Sequence, residues 1–202
     1  MKPSDASSSS CDMAIEVLDA AGARAAIPEL CDVLIECVDG GASVSFMAPL
    51  SRDKAAAFWE GVADGVARGE RVLIVARAEV IVGTVQMVPA PQENQPHRAD
   101  IAKLLVRDHA RGRGVAASLM AAAETAARTA GRTLLVLDTA SGEAGERVYA
   151  RLGWTAVGKV PGYALFPDGR PCDTTFFYKN LRARDAVDAP DQSIDLTRTA
   201  AP

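Results

Sequence analysis

Arg111, Gly112, Arg113 and Gly114 form a short turn between an apolar run, Leu104-Leu105-Val106, and an alanine-rich stretch that begins at Val115. Strand, glycine turn and helix in that order aim several backbone N–H groups at one point, at the positive end of a helix dipole. A pyrophosphate is the natural occupant of that point, and the two arginines add charge that phosphate oxygens attract. Glycine at 112 and 114 leaves out side chains that would crowd such a group. The turn lacks the third glycine of a dinucleotide-binding fingerprint, so that chemistry fits poorly. Further along, Tyr149-Ala150-Arg151-Leu152-Gly153-Trp154 reads as a helix end that carries a phenol. Two carboxylates lie nearby in the pattern. Asp100, on the strand that feeds the turn, is either a working group of the site or an ion-pair partner of Lys103 or Arg98. Asp138, at the end of the next strand, is either an acid of an acceptor pocket or a helix cap. Lys103 is a cation in an otherwise apolar strand, and strict alternation turns it away from Asp100, Ala102 and Leu104. It pairs with a neighbouring acid or reaches a substrate carboxylate. His97, just before that strand, is either an alternative base to Asp100 or a surface residue, and His109 reads as a solvated loop residue. Cys11, Cys31, Cys37 and Cys172 show no Cys-x-x-Cys spacing and no histidine partner, so no metal site is expected. None of the four sits in a nucleophile context.

The elements that position these groups follow from hydrophobic periodicity. Residues 13–18 read as a strand. Ile27, Leu30, Leu34 and Val38 recur at helical spacing up to Gly40-Gly41. A second helix runs from an N-cap at Ser51 to Arg68, stopped by Gly69. The runs 72–76 and 80–88 are separated by Ala78-Glu79 and form a hairpin. After a proline-rich loop comes a strand over 99–106, then a helix over 113–130. A strand over 133–138 and a short helix over 143–152 follow, and strands over 154–160 and 174–178 close the order. The long helix makes a crossover between parallel strands, and the hairpin makes the sheet mixed. The sum is an α/β fold with a mixed sheet of about seven strands and about four flanking helices. The domain reads as 13–180, with a polar tail over 1–12 and another over 181–202. The loop over 161–173 is long enough to cover a cleft.

Hydrophobic residues make up 49% of the 202-residue chain, enough for one real core. The net charge of −4 argues against a general nucleic-acid binder. No apolar run approaches the length that spans a bilayer, so no membrane partner is expected. The first ten residues lack the apolar core of a secretory signal, and a cytoplasmic location is the expectation.

Arg111-Gly112-Arg113-Gly114-Val115-Ala116 and Tyr149 to Trp154, in these contexts and this order, resemble the paired motifs of the GNAT superfamily of N-acetyltransferases. The resemblance covers residues 15–178 and implies the acyl-CoA N-acyltransferase fold with acetyl-CoA as cosubstrate. His97 to Val106, Leu137-Asp138-Thr139 and Pro161-Gly162-Tyr163 with Pro167-Asp168-Gly169-Arg170 more closely resemble the tabtoxin-resistance acetyltransferases, which modify an amino-acid-like β-lactam. The resemblance implies that Arg111, Gly112, Arg113, Gly114, Val115, Ala116 and Ala117 hold the pyrophosphate. Leu104, Leu105 and Val106 would pair with the pantetheine arm as an extra strand, with the Val106 amide on the thioester carbonyl. Tyr149 would reprotonate the leaving thiolate. Asp100 stands where some relatives place a catalytic glutamate. Many relatives carry an asparagine seven residues before the tyrosine. Here Gly142 takes that position, which leaves Ser141 or Glu143 for the contact. The implied reaction is direct attack by a primary amine of a small amino-acid-like molecule. Lys103 and Asp138 are candidate acceptor contacts, and a homodimer is a possible assembly. A protein or peptide N-acetyltransferase and a non-catalytic acyl-CoA-binding module are the alternatives.

Overall fold

A computed structural model describes residues 13–182. Its strands are β1 (Ala14–Leu18), β2 (Val72–Arg77), β3 (Ile81–Pro89), β4 (Arg98–Val106), β5 (Leu134–Ala140), β6 (Thr155–Leu165) and β7 (Pro171–Asn180). They form one seven-stranded sheet in the order β1-β2-β3-β4-β5-β7-β6. The β4/β5 pair is parallel and its neighbours are antiparallel, as the crossover and hairpin readings require. The helices are α1 (Ala20–Ala25), α2 (Ile27–Asp39), α3 (Arg52–Ala67), α4 (Val115–Thr129) and α5 (Ala144–Arg151).

The described residues thus hold five helices, one more than the periodicity gives. The extra one, α1, is a six-residue Ala-Ala-Gly-Ala-Arg-Ala segment with no apolar stripe to announce it. Its start is set by Asp19, whose carboxylate accepts from the Gly22 N–H at 2.7 Å. Ser51 caps α3 as its sequence position predicts, accepting from the Lys54 N–H. The expected tails over 1–12 and 183–202 lie outside the described residues. Leu181, read as tail, is buried in the core, and its N–H donates to the Thr133 carbonyl at 2.8 Å.

Each face of the sheet carries its own core. On one face α4 and α5 cover Ile74, Val85, Met87, Leu135 and Phe177, with Leu119 and Met120 packed down from α4. On the other, Leu30, Leu34 and Trp59 from α2 and α3 cover Leu73, Val75, Ile81 and Leu105. A half-buried ion pair ties three elements on the first face. Lys179 of β7 reaches Glu124 of α4 at 2.6 Å and the Leu152 carbonyl at the end of α5 at 2.8 Å.

The start of α4 is held close to the sheet by Gly83. A Cβ there would stand 2.9 Å from the Leu105 carbonyl oxygen and 3.2 Å from both Leu119 and Val115. Backbone cannot yield as a flexible side chain does, so Gly83→Ala is expected to destabilise the fold by about 1–3 kcal/mol. A thermal unfolding scan should show a drop of roughly 2–12 °C; an unchanged midpoint would refute this close packing.

The segment 161–173 is not the long loop its Pro161-Gly162 breaker predicts. β6 runs on to Leu165 by absorbing these residues in an irregularity, where pairing with β7 shifts between Val160 and Ala164. Gly162 has φ +60 and its N–H donates to Asp173 at 2.9 Å. An edge strand tolerates the missing proline donor. The connection that remains is a tight turn in which Phe166 and Arg170 bond across, with Asp168 on the Arg170 guanidinium at 2.7 Å. Its tip grips the segment after α2: the Leu165 carbonyl accepts from the Ser43 hydroxyl at 2.8 Å, and the Pro167 carbonyl from the Ala48 N–H at 3.0 Å.

Candidate active site

β4 and β5 pair over only three positions, Arg98↔Leu134, Ala99↔Leu135 and Asp100↔Val136. Beyond them β4 stays on β3 as far as Val106↔Gly83, and β5 stays on β7 as far as Ala140↔Thr174. The two strands therefore part into a V whose facing backbone groups have no ladder partner. A bulge in β4 drives the divergence. Thr84 faces Leu105 and Gln86 faces Ala102, so Val85 stands against two residues, Lys103 and Leu104. Lys103 takes the extra turn with φ +52.

The V opens a cleft of about 790 Å³, within the size range of cofactor sites. Leu104, Leu105 and Val106 line one wall, and Thr139, Ala140 and Glu143 the other. Arg111, Gly112, Gly114, Val115, Ala116 and Ala117 close one end. A 3₁₀ turn over Asp108–Ala110 brings the chain into this loop, and Gly112 and Gly114 have φ of +74 and +84. A Cβ at either glycine would meet no atom of the described residues within 4 Å, which leaves open space beside the loop. Gly114 caps α4 without a side chain, and no acid stands in the first turn. The first N–H groups of α4 are left available to an anion. The helix begins at Val115, two residues later than the sequence pattern suggests, because the left-handed Gly114 cannot be its first turn.

Arg111 lines the cleft, anchored by its Nε to the Val106 carbonyl at 3.1 Å and paired with Asp108 at 2.5 Å. Arg113 is exposed and is not part of the wall. Arg147 and Arg151, one turn apart on α5, line the facing wall. Their i,i+4 spacing was the only trace of that role in the sequence. Cys37 also lines the cleft, as a buried thiol that donates to the Val106 carbonyl, and burial pushes its pKa up. A raised, engaged thiol is a poor nucleophile.

Tyr149 enters from the α5 side, 7% exposed, with its ring edge-on to Trp154 at 6.1 Å and tilted against Phe177 at 5.9 Å. No group among the described residues hydrogen-bonds its hydroxyl. Burial pushes the phenol well above its ordinary pKa, and the Asp138 carboxylate adds to the rise. Gly145 lets α5 approach β5 this closely, since a Cβ there would stand 2.8 Å from the Thr139 hydroxyl. Ser141 does not reach the cleft. Gly142, with φ +80, turns the chain after it, and the Ser141 hydroxyl instead meets Thr175 at 2.7 Å, which bonds Glu146. Of the two stand-ins for the absent asparagine, Glu143 is the one on the wall.

Asp100 sits at the root of the V, bonded to the Arg98 guanidinium at 2.5 Å. The ion-pair alternative for this residue is therefore the arrangement observed. Asp138 opens to solvent and has no cation at ion-pair distance among the described residues. Desolvation raises its pKa, Lys103 opposes the rise and Asp100 adds to it. Lys103 contradicts strict alternation. The bulge turns it to the α3 side of the sheet, where its Nζ donates to the Ser45 hydroxyl at 3.0 Å and lies 5.8 Å from the Phe58 ring centre. Asp100 and Asp138 share that side, because Asp100 is paired with Val136 and Asp138 lies two residues on. His97 uses its backbone, accepting from Thr133 and Leu134, and its side chain is exposed. Among the described residues no helix is long and apolar enough to cross a membrane.

The comparisons with known proteins agree with this architecture. The model of the acetyltransferase (GNAT) family matches residues 42–154, more than half of the chain. Among solved structures, the chain is similar to a protein from Salmonella typhimurium assigned as an acetyltransferase and solved with its cofactor acetyl-CoA. That match has a TM-score of 0.70 at 20% identity and covers 89% of this chain and 99% of the other. An N-acetyltransferase from Staphylococcus aureus Mu50 matches with a TM-score of 0.71 at 17% identity, over 85% of this chain and 99% of that one. A ribosomal-protein-alanine N-acetyltransferase from Brucella melitensis matches with a TM-score of 0.69 at 22% identity, over 83% and 99%. With the splayed strands, the open glycine loop and the family match together, the chain belongs to the GNAT family of acetyltransferases, enzymes that use acetyl-CoA as cosubstrate.

Proposed function

We propose that this enzyme moves the acetyl group of acetyl-CoA to the primary amine of a small, amino-acid-like molecule by direct attack. One observation carries the reading: the V between β4 and β5 links an anion-ready glycine loop to a buried phenol that has no hydrogen-bond partner among the described residues and feels the charge of the Asp138 carboxylate. The free edge of Leu104 to Val106 suits an extended amide-bearing arm such as pantetheine, which adds to it as a strand would. The N–H groups from Gly112 to Ala117 suit the pyrophosphate, with Arg111 at the loop and Arg147 and Arg151 opposite. Tyr149 supplies the proton to the departing thiolate. A thiolate is a far better leaving group once protonated, and a phenol that stays neutral at working pH still holds the proton to give.

The attacking amine must first lose a proton. Asp138 suits this task better than Asp100, because Arg98 engages Asp100 while Asp138 has no cation on it. Its raised pKa also makes it the stronger base. The engaged state of Cys37 supports direct attack over an acetyl-cysteine intermediate. The resemblance to tabtoxin-resistance acetyltransferases supports an amino-acid-like acceptor. A peptide acceptor has one observation in its favour: beside Asp138, Phe176 stacks with an exposed Tyr163 at 5.3 Å on open sheet surface.

A thiol-release assay with acetyl-CoA separates these readings. The acceptor panel holds free amino acids, simple amines, a tabtoxin-like β-lactam and short peptides with free N-termini. Turnover should be greatest among the small amino-acid-like compounds. Turnover confined to peptides would transfer the assignment to a peptide N-acetyltransferase. Tight acetyl-CoA binding without turnover on any amine would leave a non-catalytic binding module.

A further inference from the structure

Two non-glycine residues among those described have positive φ, Ser45 at 76° and Lys103 at 52°. They are distant in sequence, yet their side chains meet, with Lys103 Nζ on Ser45 Oγ at 3.0 Å. Left-handed backbone is unfavourable for such residues and persists where the surroundings impose it, often at ligand clamps. Here the surroundings do impose it. The β4 bulge fixes Lys103, and the segment carrying Ser45 is tied on both sides to the β6–β7 tip through Ser43 and Ala48.

The result is a cation held over the Phe58 ring that pairs with no carboxylate among the described residues. Asp138 stands across the gap between β4 and β5, on the same side of the sheet. It is an anion with no cation at ion-pair distance among the described residues. Each is partly desolvated and each feels the other's charge, but no ion pair forms between them. A fold that needed only mutual neutralisation would let the two side chains meet. Two opposite charges held apart, each short of a partner, match a molecule that carries both signs at a fixed separation.

We infer that Lys103 and Ser45 bind the carboxylate of the acceptor while Asp138 receives its ammonium, so that the enzyme selects zwitterionic amine–carboxylate compounds such as α-amino acids. The inference rests on the N-acetyltransferase reading above and adds to it the group beside the amine. The carboxylate takes two donors, the Lys103 ammonium and the Ser45 hydroxyl. The ammonium sits on Asp138, which then holds the proton given up before attack. Asp138 is close enough to Tyr149 to raise its pKa, so the amine would lie near the proton donor for the leaving thiolate.

The test compares each of the twenty L-amino acids with its own carboxamide in the thiol-release assay, on wild type, Lys103→Gln and Ser45→Ala. A carboxamide keeps size and amine and removes the negative charge. For the best amino acid, wild type should prefer acid to amide by on the order of 100-fold in kcat/KM, as sites built around a polar partner do. Lys103→Gln should collapse that ratio toward one, and Ser45→Ala should lower it less. Calorimetric acetyl-CoA titration and a melting curve confirm that each variant is folded. Equal wild-type turnover of acids and amides overturns the charge reading and leaves small-amine acetylation standing. So does an equal loss on acid and amide in Lys103→Gln. No turnover of any acid or amide overturns both readings.

Discussion

A Gly112→Asp/Gly114→Asp variant is expected to show no heat of acetyl-CoA binding in a titration that gives a clear isotherm for wild type. Two effects add at this loop. Each new Cβ enters the open space beside the loop, with no atom of the described residues within 4 Å, and carries its carboxylate into the volume a ligand would take. Each carboxylate also brings negative charge to the helix end that would face phosphate, turning a favourable field into a repulsive one. Together these should weaken binding by at least about 100-fold, or roughly 3 kcal/mol. The fold should survive, because aspartate is among the side chains that best tolerate left-handed φ and nothing in the protein blocks it. Gly112→Asn/Gly114→Asn carries the same backbone penalty without the charge, and should retain part of the affinity. Wild-type affinity in the aspartate variant would remove this loop from the phosphate site.

The second large effect is expected at Tyr149. Tyr149→Phe keeps the contacts with Trp154 and Phe177 and removes one hydroxyl that bonds nothing among the described residues. Stability and acetyl-CoA affinity should therefore change little. If the phenol donates the proton to the thiolate, kcat should fall by about 10²–10³, within the usual range for a general acid. The pH profile reports on the same two groups. Burial and the nearby carboxylate both raise the Tyr149 pKa, so the phenol stays protonated through neutral and mildly alkaline pH. Wild type should show no alkaline loss of kcat from this residue below pH about 10, the ordinary tyrosine value. Asp138 is also raised, and as a base it works ionised. The acidic limb should therefore lie above the ordinary aspartate value of about 3.9. An unchanged kcat in Tyr149→Phe would reduce the phenol to a positioning role.

The motifs were legible because each depends on local chemistry. Gly112 and Gly114 mark left-handed turns, the alanines mark a helix that lies close to a sheet, and Tyr149 stands at a fixed distance from the end of its helix. Features that depend on two distant segments were not legible. Lys103 faces the wrong way under strict alternation because a bulge is a property of the β3–β4 pair and not of β4 alone. Pro161-Gly162 looks like the end of a strand, and only the Asp173 carboxylate that accepts from Gly162 shows why β6 continues. Ser141 was a reasonable stand-in by position, but its N–H stays on the Asp173 carbonyl of β7 and its hydroxyl meets Thr175. α1 escaped notice because Asp19, and not a hydrophobic stripe, defines it. Arg147 and Arg151 gain meaning only once α5 is known to face α4 across the V.

The V has a consequence for association as well as for catalysis. An unpaired strand edge normally invites another polypeptide to add to it, and proteins protect such edges with charges, bulges or short strands. Here the two free edges face each other inside the sheet, joined at the root by the Asp100↔Val136 pair. A wedge closed at one end and flanked by helices has no room for a foreign sheet. It admits a single extended arm from its open end. The enzyme can therefore keep exposed backbone donors and acceptors ready for its ligand without presenting them as a template for aggregation.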